Sequence, residues 1–293
     1  ALSNLGNIAH TRGELDLAEK LYNQSLQIER QLGRLEGQAN QLGNLGLIAK
    51  TRGDLDQAEK LHNESLQIER QLGRLEGQAS DIGNLGLIAQ TRGELDQAEK
   101  LHNESLQIER QLGRLEGQAS ELGNLGLIAQ TRGELDRAEK LYNESLRINR
   151  QLGRLEGQAI QLGNLGVIAQ TRGELDQAEE LLNESLKINR QLGRLEGQAN
   201  QLGNLGVIAK TRGDLDQAEK LLNESLKINR QLGRLEGQAN QLGNLGVIAK
   251  TRGDLDQARS LWKQSHDLFA QASMPHMAKK VQGLIDGLDN HEK

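Results

Sequence analysis

The sequence predicts an all-α solenoid, a row of helix hairpins that supply one another's core. The first ground is repetition. The text QLGNLGLIAKTRGDLDQAEKLHNESLQIERQLGRLEGQA, read from Gln41 to Ala79, returns every forty residues to Gln241. Residues 161–200 and 201–240 differ only at Gln170/Lys210, Glu174/Asp214 and Glu180/Lys220. Self-similarity at that period marks a supersecondary unit unable to bury its apolar face alone. The second ground is that each period holds two stretches whose apolar residues recur at threes and fours, the helical spacing. The third is composition: aliphatics are plentiful, and Tyr22, Tyr142, Trp262 and Phe269 are the whole set of rings. A core almost without rings needs thin, closely approaching helices, which suits the 34 glycines among 293 residues.

The first helix of a unit is predicted from about Leu75 to Thr91, and in the preceding unit to Thr51, with Leu42, Leu45 and Ala49 as its inner stripe. Gly43 and Gly46 each weaken an isolated helix by up to ~1 kcal/mol relative to alanine. Their recurrence therefore predicts tight helix contact at both. Thr51-Arg52-Gly53 turns the chain so that the next helix runs back. That second helix opens on Asp54, an N-cap with Gln57 three residues later, as in a capping box. Ala58, Leu61, His62, Ser65, Leu66, Ile68 and Leu72 share its inner stripe, with Gln57, Lys60, Glu64 and Gln67 opposite. Asp56, Lys60 and Glu64 stand four apart and are expected to pair along the wet face, each pair contributing only ~0.3–0.5 kcal/mol. Gly73 stops the helix.

The last unit diverges after Ala258, where Trp262, Phe269 and Met274 enter. Behind Pro275, the only proline, Met277, Val281, Leu284, Ile285 and Leu288 make an amphipathic helix. A terminal helix of this kind closes the apolar end of a stack. The organisation expected is seven tandem forty-residue units over 1–272 and a capping helix with its tail over 273–293. Ala1-Leu2-Ser3-Asn4 begins inside a first helix with no equivalent cap. Either the chain is a piece of a longer one, or that end meets a neighbour by end-to-end self-association.

The net charge is −5 and the two signs alternate. One unit carries Lys50, Arg52, Lys60, Arg70 and Arg74 against Asp54, Asp56, Glu59, Glu64, Glu69 and Glu76. No basic stripe results, which argues against nucleic acid as the ligand. There is no signal peptide and no apolar run long enough for a membrane, so the expectation is a soluble, cytoplasmic chain with no membrane partner. Without cysteine there is neither a disulfide nor a thiolate metal site, and no cofactor is expected.

Leu45, Gly46, Ala49, Gly53 and Ala58 fall at the spacing of the tetratricopeptide repeat signature. Leu42 stands where tryptophan is usual, His62 where phenylalanine is, and Ser65 at the later small-residue place. The family's proline would fall at Arg70; the second helix instead runs on through Gln71 and Leu72, which accounts for the longer period. The chain is similar to the long-helix subclass of spindle-orientation adaptors and resembles kinesin light chain repeats in its Asn-Leu element. The resemblance covers residue 1 to about 272. It implies a right-handed superhelix of tandem tetratricopeptide hairpins whose first helices line the concave wall.

Catalytic chemistry is argued down residue by residue. Histidines fall at 10, 62, 102, 266, 276 and 291, and the place of His62 and His102 is Tyr22, Tyr142, Leu182, Leu222 or Trp262 elsewhere. A position accepting histidine, tyrosine, leucine and tryptophan is one of packing rather than metal or base chemistry. Asp54 and Asp56 recur near helix starts, where capping and solvation explain them. No phosphate loop, zincin motif or nucleophile elbow is present, and the LGNLG glycines follow no strand. No enzyme is expected. Glu69, which becomes Asn149, Asn189 and Asn229 later, lies near an apolar stripe and needs a partner, with an arginine from a neighbouring unit the expected one.

The groove is the stronger reading. On a helical projection, the side of the first helix opposite Leu45 and Ala49 presents Asn40, Gly43, Asn44, Leu47, Lys50 and Thr51. If first helices line a concave wall, as the resemblance implies, Asn4, Asn44, Asn84, Asn124, Asn164, Asn204 and Asn244 form a ladder. A carboxamide donates and accepts, so each rung can bond an extended peptide backbone. Each bond nets only ~0.5–1.5 kcal/mol, so several must act together. Leu47, Leu87, Leu127, Val167, Val207 and Val247 supply an apolar floor. Lys50, Gln90, Gln130, Gln170, Lys210 and Lys250 edge the channel and make its ends more basic than its middle, while Asn40, Ser80, Ser120, Ile160, Asn200 and Asn240 vary its wall. Asparagine ladders bind peptides in the two families resembled. The competing reading is that the asparagines bond neighbouring helices and the aliphatics only pack. The function expected is a non-enzymatic protein-interaction scaffold holding a peptide segment of a partner. Its alternatives are a regulatory array joined to an upstream signalling NTPase, and a consensus-like scaffold with no natural ligand.

Overall fold

The computed structural model describes residues 2–289, all of it helix and tight turn. Ala1, His291 and the tail 290–293 lie outside the described residues. First helices are α1 (Leu2–Thr11), α3 (Leu35–Thr51), α5 (Leu75–Thr91), α7 (Leu115–Thr131), α9 (Leu155–Thr171), α11 (Leu195–Thr211) and α13 (Leu235–Thr251). Second helices are α2 (Leu15–Gln31), α4 (Leu55–Gln71), α6 (Leu95–Gln111), α8 (Leu135–Gln151), α10 (Leu175–Gln191), α12 (Leu215–Gln231) and α14 (Leu255–Gln271), and α15 (Pro275–Asp289) follows. The chain divides into two compact units, Ala1–Ile148 and Asn149–Lys293.

In the first unit each hairpin is antiparallel. Along α3 and α4, Gly46 faces the His62 ring, while nearer the start of α3 the Ala39 carbonyl accepts from Ser65 Oγ at 3.0 Å further along α4. The serine bond repeats from Ser105 to Ala79. At Gly46 a Cβ would stand 2.7 Å from His62 Nε2, so glycine is what lets the helices meet there. Gly43 is different from the expectation: a Cβ would find ordinary contacts at 3.7 Å or more, because this position opens toward the groove. Gly53, at φ 80°, and Gly73, at φ 67°, make the two turns of the period, a left-handed backbone that glycine adopts without Cβ strain. Asp54 caps α4, its carboxylate accepting from Gln57 N at 3.0 Å.

The core of a hairpin reaches its neighbour. Ala9, Ala18, Tyr22, Leu26, Leu42, Leu45 and Ile48 form one cluster drawn from α1, α2 and α3, with Leu61 and Ile68 of α4 against it. Each fully buried leucine or isoleucine there contributes ~1.5–3 kcal/mol. Ile48, absent from the expected stripe, is as buried as Leu42. Leu5 and Ile8 of α1 are 52% and 50% exposed, against 6% and 1% for their counterparts Leu45 and Ile48.

The expected pairing of Asp56, Lys60 and Glu64 along one helix is not what forms. Asp56 pairs with Arg92 at 2.5 Å and Glu64 with Arg30 at 2.7 Å, both between successive hairpins. The turn arginine Arg52 likewise reaches back to Asp16 and Glu19. Long arginine side chains span the step between hairpins, and the carboxylates go to them rather than to the lysine on their own helix.

The second unit uses the same devices. Ser185, Ser225 and Ser265 donate to the carbonyls of Ala159, Ala199 and Ala239, each at 2.7 Å. At its end Trp262 and Phe269 of α14 are buried with Val281, Ile285 and Leu288 of α15. Leu284 departs from the expected apolar face and is 38% exposed.

Candidate functional site

The outward side of the first helices forms a groove in each unit. In the first, a cleft of about 150 Å³ is lined by Asn40, Gly43, Asn44, Leu47, Ser80 and Asn84, with His62, Glu69 and Asp81 beneath. In the second, about 460 Å³ lies among Asn164, Val167, Asn204, Val207, Asn240 and Asn244, over Gln201 and Gln241. Within each unit the asparagine and aliphatic rows therefore line the same cleft. Asn44, Asn84, Asn124, Asn164, Asn204 and Asn244 are all half-buried rather than sealed, as are Leu47, Leu87, Val167, Val207 and Val247; Leu127 is exposed. Asn4, the first rung, is also exposed.

Rungs differ in what holds them. Asn84 accepts from Lys50 Nζ at 2.8 Å and donates to the Ser80 carbonyl at 2.9 Å. Asn244 repeats this with Lys210 at 2.8 Å and the Asn240 carbonyl at 3.1 Å. Burial holds both lysines below the usual ammonium range. Among the described residues, the side chains of Asn44, Asn124, Asn164 and Asn204 carry no hydrogen bond. The edge row is equally divided. Gln130 accepts from the Tyr142 hydroxyl at 2.7 Å, and Lys250 lies 6.0 Å from the Trp262 ring centroid.

Below the rungs runs a floor that sequence reasoning missed. In the first unit His62 Nδ1 meets Asp81 at 2.9 Å, and His102 Nδ1 meets Glu121 at 2.6 Å, with Ser105 Oγ donating to the same Glu121 at 3.0 Å. Nδ1 of each ring is thus engaged by the carboxylate, and Nε2 is buried without a partner. Both rings are buried, and no group of three metal-ligating side chains occurs among the described residues. In the second unit Leu182 and Leu222 replace the histidines, and Gln201 and Gln241 replace the acids. These glutamines are each 8% exposed, and their Oε1 atoms have no hydrogen-bond partner.

The tetratricopeptide repeat family matches residues 1–71, 78–151 and 157–231, and a further match of the same family covers 241–264. The chain belongs to the tetratricopeptide repeat family. No curated protein matches it. Among solved structures it is similar to the signal-transduction ATPase with a tetratricopeptide repeat sensor from Pyrococcus horikoshii. That match has TM-score 0.76 and 15% identity, over 96% of this chain and 44% of the other, so the chain spans under half of that ATPase. It is similar to the apo form of the quorum sensor NprR from B. thuringiensis, with TM-score 0.69 and 13% identity over 98% and 86%. It is also similar to BtubC (BKLC) from P. vanneervenii, with TM-score 0.63 and 22% identity over 75% and 92%. At such identities the likeness is one of fold.

Within these tetratricopeptide hairpins Glu69 finds its arginine, though not from a neighbouring unit. Arg74, in the turn five residues on, places Nε 3.5 Å from Glu69 Oε2 and Nη1 3.2 Å from Glu36. Burial raises the Glu69 carboxyl above the usual range, Arg74 opposes the rise, and Asp81 and Glu36 add to it. Glu109 repeats the arrangement with Arg114 at 3.6 Å. Asn189 and Asn229 replace these acids and donate to the carbonyls of Ser185 and Ser225 at 2.9 and 3.0 Å. One signal for the floor stood in the sequence: histidine at 62 or 102 goes with an acid nineteen residues on, tyrosine or leucine at the matching place with glutamine. No helix in the described residues is long and apolar enough to cross a membrane.

Proposed function

We propose that the chain is a non-enzymatic protein-interaction scaffold that holds an extended peptide segment of a partner against its first helices. The supporting observation is that the side chains of Asn44, Asn124, Asn164 and Asn204 are half-buried yet make no hydrogen bond, with Asn44, Asn164 and Asn204 lining the clefts. A carboxamide in that state offers one donor and one acceptor to a strand laid beside it, and the Leu47 and Val167 rows give its side chains apolar contacts. Lys50 and Lys210 act by clamping Asn84 and Asn244 rather than by touching a guest. The working array is 1–272, in a cytoplasmic setting, with no nucleic acid, membrane or cofactor involved. Copies meet end to end through Leu5 and Ile8, which concentration-dependent sedimentation would register.

Changing Asn124, Asn164 and Asn204 together to alanine abolishes capture of partners crosslinked to the chain in extracts of its source, with helicity unchanged by circular dichroism. Capture undiminished by the triple change contradicts the reading. A second reading, a sensor array joined to a signalling ATPase, is supported by the Pyrococcus horikoshii structure. It requires that ATP hydrolysis by the full gene product respond to deletion of the array.

A further inference from the structure

The floor of the second groove is built of buried amides; the first unit has one, Gln41, whose Oε1 is likewise unbonded while its Nε2 donates to Ser3. Gln201 and Gln241 are more than nine-tenths buried, line the cleft, and leave Oε1 unbonded. An unpaired buried acceptor loses ~1–3 kcal/mol of solvation, so its recurrence at two successive hairpins calls for an account. In the first unit the same register is closed by His62–Asp81 and His102–Glu121. In the second, leucine stands where the closing partner would be. Access is provided by glycine: Gln201 Nε2 lies 2.7 Å from where a Cβ on Gly163 would stand, and Gln241 Nε2 lies 2.8 Å from that of Gly203. Any side chain at either glycine would meet the amide.

We propose that this groove recognises carboxamide side chains, so that asparagine or glutamine residues of an extended segment pair with Gln201 and Gln241 through two-point amide contacts. The inference rests on the peptide-binding reading above and names which guest residues that peptide carries. The backbone of the guest lies along Asn164 and Asn204, and the deeper glutamines are reached by its side chains. A carboxamide brings the donor that Oε1 lacks and the acceptor for Nε2 in one planar group. An anionic guest finds the one cation of the lining already engaged, Arg234 being bonded to Asn200 at 3.1 Å and Glu196 at 3.2 Å, while the one acid of the lining, Glu236, is exposed to solvent. Burying an unpaired charge is heavily unfavourable. An aliphatic guest leaves both acceptors unbonded.

The test uses the whole chain and a set of fluorescein-labelled peptides sharing one short neutral host, with glutamine, lysine, glutamate or leucine at two guest positions of varied spacing. In anisotropy titrations the glutamine peptide binds about tenfold tighter than the others at its best spacing. Changing Gln201→Leu and Gln241→Leu together removes that advantage and leaves the leucine peptide bound as before. The pair Gln201→Glu and Gln241→Glu moves the preference to the lysine peptide, which keeps the test open if the leucine variant folds poorly. Equal binding of all four peptides, or a glutamine preference that survives both double changes, overturns the inference while the groove reading stands. Binding of none of them defeats both.

Discussion

The grooves of the two units share their helices, glycines and asparagine rows, yet their floors are completed in opposite ways. At two hairpins of the first unit, Tyr22 and Gln41 being the exception, a histidine on the second helix is joined to an acid on the following first helix, as in His102–Glu121. In the second unit leucine and glutamine hold the same places, and the glutamine acceptors are left open. The buried acids Glu69 and Glu109 of the first unit are matched by Asn189 and Asn229, which satisfy themselves on the preceding turn of their own helix. One scaffold thus carries a floor rich in buried acids and a floor of neutral amides.

The largest effect expected comes from splitting a buried floor pair. His102→Leu leaves Glu121 buried with only the Ser105 hydroxyl for company, and breaking a buried pair in this way costs about 3–5 kcal/mol. Adding Glu121→Gln restores the text of the second unit and should recover most of the loss, as read by urea denaturation with amide exchange localised to α5–α7. A double variant no more stable than the single one would break the comparison.

Next comes Glu109→Asn, again the second unit's choice, which should stabilise the chain at neutral pH by about 1 kcal/mol. The sign follows from burial, which raises the Glu109 carboxyl. A raised folded value means the native state binds the proton more tightly. The resulting stability is complete below the unfolded value and is lost as pH rises through the folded one. The variant's advantage is therefore greatest at neutral pH and disappears in acid, and an advantage independent of pH would contradict this.

Smaller still is Gly43→Ala. Its Cβ meets only ordinary contacts, so thermal unfolding should show a gain of about 0.5–1 kcal/mol from helix propensity. Gly163→Ala in the second unit should gain less, because its Cβ presses on the Gln201 amide. The smallest effect is a control. Arg110→Ala and Arg190→Ala remove matching exposed pairs to Glu144 and Glu224, each 3.2 Å long. Both should lower stability equally and by under about 1 kcal/mol.

Much of this was legible from spacing. Asp54 before an apolar stripe, Gly53 and Gly73 at the turns, and the Asn44 and Leu47 rows on one side of a helix all depend on local periodicity, which a single helix records. What spacing does not record is how one hairpin meets the next. The difference between Gly43 and Gly46 depends on where the partner helix crosses. So does the choice of Arg92 rather than Lys60 as the partner of Asp56, and so does the exposure of Leu284. The floor pairs fall between, because their residues are nineteen apart and on different helices. Only the concerted change of both residues from unit to unit discloses them.

The most direct measurement closes the open floor. With Leu182→His and Gln201→Glu introduced together, the second unit acquires the pair that seals the first, while Asn164, Asn204, Val167 and Val207 are untouched. Anisotropy titration with the glutamine peptide should then show its preference reduced to what Gln241 alone supports, at unchanged thermal stability. Binding of that peptide at full strength to the sealed chain would contradict the account.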